Sequence, residues 1–361
     1  MTAHASDSTR PESAPARRGF GRAVVVAALA VLLGQAACRR TAPEPESRPD
    51  PPGTAVASAA VAAPSVRVAS VGGPAPETGD DASFRFPPAE RVVAVGDIHG
   101  DLDAARRALR LAGAVDARDR WIGGKLVLVQ TGDEIDRGDG DRAVIDLFVR
   151  LDGEARAAGG RVHALSGNHE AMNVAGDFRY VTPGGFAAFA DVDARGVPAD
   201  ALGSLPASER GRAAAFFPGG PYAKILSERP VAVAVGDTVF VHGGITADHV
   251  RYGLGRLNRE VRAWMTGDGA PPPLVEDPEG PLWTRRYSDE RGGIDCSGLT
   301  AALAALGAKR MVVGHTPHES GIASGCDGRV WWIDTGLSAY YGGPTEVLEL
   351  RGSTAVVLRG P

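Results

Sequence analysis

Six side chains stand out for the chemistry they could share. Asp97 and His99 lie in GDIHGD (96–101), Asp133 in GDEIDRGD (132–139), Asn168 in GNHE (167–170), His242 in VHGG (241–244) and His315 in GHTP (314–317). Each can offer a nitrogen or an oxygen to a divalent cation. Asp97 and His99 stand two apart at a strand end, where extended backbone points both the same way and makes a two-ligand clip. The Asp133 carboxylate can lie between two ions and give one oxygen to each. A mixed N/O set without thiolate suits Mn, Fe, Zn or Co and argues against a closed structural zinc site. Two such ions about 3.5–4 Å apart can share a hydroxide, lower its pKa and clamp phosphoryl oxygens during in-line displacement. The pattern therefore anticipates hydrolysis of a phosphate ester. Taken singly, each fragment has a plainer explanation as a loop cap, a polar turn or a buried structural histidine. Their ordered recurrence, each at or after an apolar run, is what sets that explanation aside.

The apolar runs must position these loops. Val92–Val95, Leu126–Gln130 and Val162–Leu165 read as strands, separated by helical stretches over Leu102–Leu111 and Asp141–Ala157. That rhythm signals a parallel or mixed sheet covered by helices, with ligands gathered beyond the strands' carboxyl ends. Val231–Val235 and Thr238–Val241 flank Gly236-Asp237, a hairpin signal. Arg310–Val313, Val330–Asp334, Glu346–Leu350 and Ala355–Leu358 supply four more candidate strands. The fold expected is α/β, a two-layer mixed sheet sandwich flanked by helices. Between about 172 and 230 the rhythm breaks into a Gly-, Ala- and Pro-rich insertion with helical pieces, expected to form a cap.

The remaining sequence divides by composition. An apolar fraction of 43% and a charged fraction of 23% fit a globular body with an ample core. Residues 1–37 carry four arginines against two acids, so of the total charge of -5 the rest carries -7. A mildly acidic body without a basic stripe excludes a nucleic-acid surface. Residues 1–38 read as an export signal, with Arg17-Arg18 before an apolar run ending at Gly34. The run is short of the ~20 residues a membrane span needs. Arg17-Arg18-Gly19-Phe20-Gly21-Arg22 resembles a twin-arginine signal. Cys38 after two alanines resembles a lipoprotein cleavage site, with an ordinary signal peptide as the alternative. Residues 39–85 form an Ala/Pro-rich stretch without period, expected to be a disordered linker, and 86–361 the folded domain. Localisation is thus expected to be exported, on the periplasmic face of a bacterial membrane through a lipid anchor. In the body, Cys296 and Cys326 are candidates either for one disulfide or for two buried thiols.

The motifs GDxHG, GDxxDRG and GNHE resemble those of the phosphoprotein phosphatase group of calcineurin-like metallophosphoesterases. The chain is most similar to the Shewanella-like protein phosphatases through TGDEIDRGD (131–139), GNHEAMNVAGDFRYVTP (167–183), FFPGGPYAKILSERPVAVAVGDTVFVHGGI (216–245), PLWTRRYS (281–288), RMVVGHTPH (310–318) and VWWIDTGLSAYYGG (330–343). The resemblance spans about 90 to 350. It implies a binuclear-metal phosphoesterase in which Asp97, His99 and Asp133 hold one metal, and Asp133, Asn168, His242 and His315 the other. A bridging hydroxide would attack, His169 would be the general acid, Asp136 its orienting partner and Arg137 a phosphate-binding residue. Arg285 or Arg286 would supply a second arginine. Arg179 and Tyr180, and Tyr340 and Tyr341, are candidates for contacting the substrate body, with plain packing as the alternative. Ser166 stands where serine/threonine members carry an arginine before GNHE, which weakens a serine/threonine preference, and the resemblance to the Shewanella-like branch, whose plant members are associated with phosphotyrosine, favours phosphotyrosine. His318 is expected beside the site or at the surface. The resemblance also favours a disulfide between Cys296 and Cys326. Expected partners are phosphorylated protein, with small phosphorylated metabolites or dinucleoside polyphosphates as the alternative substrates. An inactive anchored binding protein is disfavoured by the intact set.

Overall fold

Alternate side chains of one four-residue strand serve two different layers. In β2 (Val92–Val95) Val92 and Ala94 face inward between two sheets, whereas Val93 and Val95 face helices. The computed structural model describes residues 83–360, except 196, 199–201 and 203–204. β1 is Arg85–Phe86, β3 Val127–Gln130, β4 Arg161–Ala164, β5 Ala232–Val235, β6 Thr238–Val241, β7 Arg310–Val313, β8 Ala323–Gly325, β9 Val330–Trp332, β10 Glu346–Arg351 and β11 Thr354–Arg359. One sheet has five strands in the order β11-β10-β2-β3-β4, and the other six in the order β1-β5-β6-β7-β9-β8. β2, β3 and β4 run parallel, with Val92 opposite Val127 and Val127 opposite Arg161. β6, β7 and β9 also run parallel, and β5 turns back on β6 through Gly236-Asp237.

The two sheets pack face to face through Ala94, Val129, Val233, Phe240, Val312, Ile333 and Leu348. Helices cover the outer faces. α1 (Leu102–Leu111) is started by Asp101, whose carboxylate accepts from the Ala104 amide at 2.8 Å. It buries Ala104, Ala105, Ala108 and Leu109 on a single face, the spacing an amphipathic helix requires. α2 (Asp141–Ala157) packs Val144, Leu147, Phe148 and Leu151 into the same layer. On the far side, the helix Cys296–Leu306 buries Leu299, Leu303 and Leu306 against Val239, Val241, Met311 and Val313. A disulfide joins the first residue of that helix to Cys326 just past β8, across a Cα–Cα distance of 5.4 Å.

The insertion is helical, with segments at Pro183–Ala187, Arg210–Phe216 and Pro221–Leu226. It has its own apolar centre, in which Phe189, Phe216 and Tyr222 meet Leu257, Val261 and Trp264 of the helix Leu254–Thr266. Its Phe189 ring meets those of Phe216 and Tyr222 edge-on at 5.1 and 4.8 Å.

The described residues include three that precede the boundary expected at 86. Phe84 is buried at 2% exposure, and Arg85–Phe86 pairs with Ala234–Val235 as an edge strand. The alternation Phe84-Arg85-Phe86 is too short to establish a period, so this two-residue strand was not anticipated. β8 was likewise unanticipated, being three small residues paired only to β9. The export signal, Cys38 and nearly all of the linker lie outside the described residues.

Candidate active site and metal centre

The loops after β2, β3, β4, β6 and β7 converge, and they carry the six donors. His99, Asp133, Asp136, Arg137 and His315 are five of the eight non-glycine residues with positive φ among the described residues. Such backbone is strained for any side chain and persists where surrounding bonds over-determine it. Glu170 supplies several of those bonds, accepting from the amides of Asp133 (2.9 Å), Glu134 (2.9 Å) and Gly167 (2.7 Å). Close approach sets the glycines. A Cβ on Gly167 would stand 2.1 Å from Asp133 Oδ1, and one on Gly132, with φ +97°, 2.6 Å from the Gly167 nitrogen.

Asp133 is the shared member of two donor groups, His99–Asp133–His169 and Asp133–His242–His315, all buried. Its Oδ2 lies 3.9 Å from His99 Nε2, 3.8 Å from His169 Nε2 and 3.2 Å from His242 Nε2. Asn168 Oδ1 is 2.9 Å from the same His242 nitrogen. Asp97 joins from the other side, its Oδ1 4.0 Å from His242 Nδ1 and its Oδ2 accepting from the His315 amide at 3.1 Å. The His242 and His315 rings are 4.9 Å apart.

Three observations fit this set to cations. His242 Nδ1 is 2.9 Å from the Thr131 carbonyl, so Nδ1–H donates there and Nε2 faces two further acceptors, Asn168 Oδ1 and Asp133 Oδ2. Only a proton or a metal reconciles three acceptors. His99 is oriented in the same way, with Nδ1 donating to the Ile135 carbonyl at 3.2 Å and Nε2 turned inward. Asp97 Oδ1 and Asp334 Oδ2 are buried with no hydrogen-bond partner, an arrangement costly for carboxylates unless a cation offsets their charge.

The electrostatics follow the same geometry. Burial, then Asp334 and Asp133, push the Asp97 carboxyl well above its usual range. Burial also pushes Asp133 upward, but His242 and His169 outweigh it and hold that carboxyl well below. Burial and the Arg137 guanidinium lower His99 strongly, and burial with Arg285 does the same to His315. His169 goes the other way. Burial alone would lower it, yet Asp133 and Asp136 raise it above an ordinary imidazole.

His169 is the second residue of the helix Asn168–Val174, here α3, and its amide donates to Asp133 Oδ1 at 3.0 Å. Its Nδ1 lies 2.6 Å from Asp136 Oδ2, which fixes the ring and leaves Nε2 toward the donor cluster. Arg137 Nη1 donates to His99 Nε2 at 2.9 Å. Its guanidinium carbon is 5.0 Å from the Tyr180 ring, 5.3 Å from Tyr341 and 5.7 Å from Tyr340. Tyr180 also lies 5.0 Å from the His169 ring and Tyr341 5.5 Å from His99.

Not every sequence candidate arrives here. Arg285 donates to the His315 carbonyl at 3.0 Å, whereas Arg286 turns outward to Glu279 at 3.1 Å and Asp295 at 3.6 Å. Adjacent residues in a turn point apart, so only the first reaches the centre. Arg179 likewise pairs with Asp177 two residues back, while its neighbour Tyr180 faces the site. Ser166 donates to the Arg229 carbonyl and takes no part in the donor cluster. His318 stacks on Trp332 at 4.9 Å and its amide donates to the Asp334 carbonyl, which places it one layer behind. Sequence reasoning missed Glu170, Asp334, Asn173 and Arg212. Glu170 had a signal, as an acid three residues after a helix N-cap. Asp334 had a weaker one, at the end of an expected strand. Arg212 had none.

Residues 90–319 match the family model for the calcineurin-like phosphoesterase. Shewanella-like protein phosphatase 2 of Arabidopsis thaliana is 39% identical over 304 residues, covering 75% of this chain and 78% of its own length. Shewanella-like protein phosphatase 1 of Plasmodium berghei is 31% identical, covering 70% and 69%. Among solved structures, the cold-active protein-tyrosine phosphatase of a psychrophilic Shewanella superposes with a TM-score of 0.59. It shares 26% identity and covers 76% of this chain and 82% of its own.

Proposed function

This chain belongs to the calcineurin-like phosphoesterases, within them to the Shewanella-like protein phosphatases, and we propose that it hydrolyses phosphomonoesters on proteins, phosphotyrosine before phosphoserine or phosphothreonine. The observation that carries this is the single buried carboxylate common to two histidine groups, Asp133, with His169 and its Asp136 partner beside it. Asp97, His99 and Asp133 would hold one divalent ion, and Asp133, Asn168, His242 and His315 the other. Such ions supply Lewis acidity toward phosphoryl oxygens and toward solvent.

The chain's own residues do the remainder. Arg137, with a planar guanidinium, grips phosphoryl oxygens, and Arg285 beside His315 offers a second positive group. As water's oxygen attacks phosphorus, the bond to the ester oxygen breaks and its electron pair stays on the leaving group. His169 Nε2 gives that oxygen a proton. Against the effect of burial, Asp133 and Asp136 favour the protonated imidazole. Asp136 holds the tautomer through Nδ1.

One feature of the site supports an aryl leaving group. Tyr180, Tyr340 and Tyr341 surround Arg137 with aromatic faces. Tyr340 is 63% exposed and would meet a substrate ring at the mouth. One structural neighbour points the same way: the superposed Shewanella enzyme is named a protein-tyrosine phosphatase. Elemental analysis of the purified domain, coupled to turnover of a phosphotyrosine peptide, a phosphoserine peptide and a diadenosine polyphosphate, tests the proposal. Two equivalents of metal and fastest turnover of the phosphotyrosine peptide are expected. Preference for the diadenosine polyphosphate would replace protein by small-molecule substrates. We further propose export, with acylation at Cys38. Lipid labelling lost in Cys38→Ser is the expected result, and unchanged export of an Arg17→Lys, Arg18→Lys double variant would argue against the twin-arginine route.

A further inference from the structure

Arg212 belongs to the helical insertion, 76 residues after Asp136, and is fully buried. Its Nη2 donates to Asp136 Oδ1 at 2.9 Å, its Nη1 to Asp141 Oδ2 at 2.6 Å and to the Gly185 carbonyl at 2.9 Å, and its Nε to Asn173 Oδ1 at 2.8 Å. Phe189 and Phe216 flank the guanidinium at 5.2 and 4.9 Å. Asn173 closes the ring of bonds, its Nδ2 lying 3.0 Å from Asp136 Oδ1 and 3.1 Å from Oδ2 and donating to the His169 carbonyl at 2.9 Å. The Asp136 amide in turn donates to Asp141 Oδ1 at 3.0 Å.

A buried guanidinium is an expensive way to hold a helix, since well-packed apolar groups do so without desolvating charge. What it adds is direction. With Oδ1 bound to Arg212 and Asn173 bridging both oxygens, the Asp136 carboxylate presents Oδ2 to His169 Nδ1 at 2.6 Å. Asp136 itself sits at φ 70°, a backbone conformation that needs outside bonds to persist. We propose that Arg212 is a positioning residue, by which the insertion sets the plane of Asp136 and through it aims the proton of His169 at the leaving oxygen. The inference rests on the general-acid role proposed for His169.

The test exploits the leaving group. A poor alkoxide needs the proton and 4-nitrophenolate does not, so misaiming the acid separates two esters that a general loss of structure would affect alike. In Arg212→Met that folds with two equivalents of metal, kcat on an alkyl phosphate monoester should fall about 100-fold and on 4-nitrophenyl phosphate less than about 5-fold, the scale of general acid catalysis. KM should change little for either ester, and Arg212→Lys should recover part of the loss. Asn173→Ala, which keeps the Arg212 ion pairs, should show the same asymmetry at smaller amplitude and serves if Arg212→Met does not fold. Equal losses on both esters overturn the inference. His169→Asn run alongside separates the two levels. Asymmetry there without asymmetry in the folded Arg212 or Asn173 variant overturns the positioning role alone. Its absence from all of them overturns the general-acid role and the inference with it.

Discussion

The five-stranded sheet brings Asp97, His99, Asp133 and Asn168 to the centre, on loops that follow three parallel strands. The six-stranded sheet brings His242 and His315. Four strained residues, His99, Asp133, Asp136 and Arg137, lie on the first side, and among the donors of the second only His315 has positive φ. Carboxylates are concentrated where strained loops expose amides to them, as when Asp133 Oδ1 takes the His169 amide at 3.0 Å. The imidazoles need less of this support. His242 stands directly at the end of its strand and is oriented by one carbonyl, Thr131, lent from the opposite sheet. The contrast teaches that the carboxylate ligands collect on the side whose bent backbone offers them amides, while Asp334 is the buried carboxylate that the six-stranded side adds behind them.

The largest effect should come from the atom that joins the sides. Asp133→Asn removes the charge shared by both donor groups, and phosphatase activity should vanish together with stoichiometric metal, read by elemental analysis. Full activity in that variant would break the comparison at its centre. Single-sided lesions come next. His99→Ala on the first sheet and His242→Ala on the second should each cost about 100-fold or more in kcat and release one equivalent of metal, since even the outer partners of ligands are worth 10–100-fold. Loss of both equivalents from only one of the two variants would show that the sheets do not contribute alike.

Away from the centre the sides differ in what stabilises them. Cys296→Ser opens a loop of 30 residues on the six-stranded side and should lower unfolding free energy by about 3 kcal/mol, with turnover at 25 °C retained. The five-stranded side carries a buried titrating group instead. His163 on β4, with its ring 4.3 Å from Phe86, is pushed down to about 4 by burial. The unfolded chain binds its proton at about 6.5 and the folded one only near 4. Stability from this residue is therefore present above pH 6.5 and lost as pH falls from 6.5 to 4, by about 3 kcal/mol in all. Denaturation across that range should be flatter in His163→Leu. An unchanged slope would assign the acid sensitivity to the site carboxylates instead.

Much of this was legible in the chain. Alternating or continuous apolar runs located nine strands and the two helices over the first sheet, because a strand's side chains answer directly to which face is buried. The donors were legible because metal chemistry restricts residue type, and a loop after a strand restricts place. Arg286 and Arg179 show where that reach ended. Nothing in RR or RY tells which neighbour turns inward, and the turn conformation decides it. Local order determined the parallel strands, the loops at their ends and the chemical kinds of the ligands, since those depend on neighbours a few residues away. Tertiary structure alone decided the facing of the two sheets, the meeting of His242 with Asp133 across 109 positions of chain, and the reach of Arg212 to Asp136. Those contacts arise from packing surfaces that become neighbours only after both sheets and the insertion have closed.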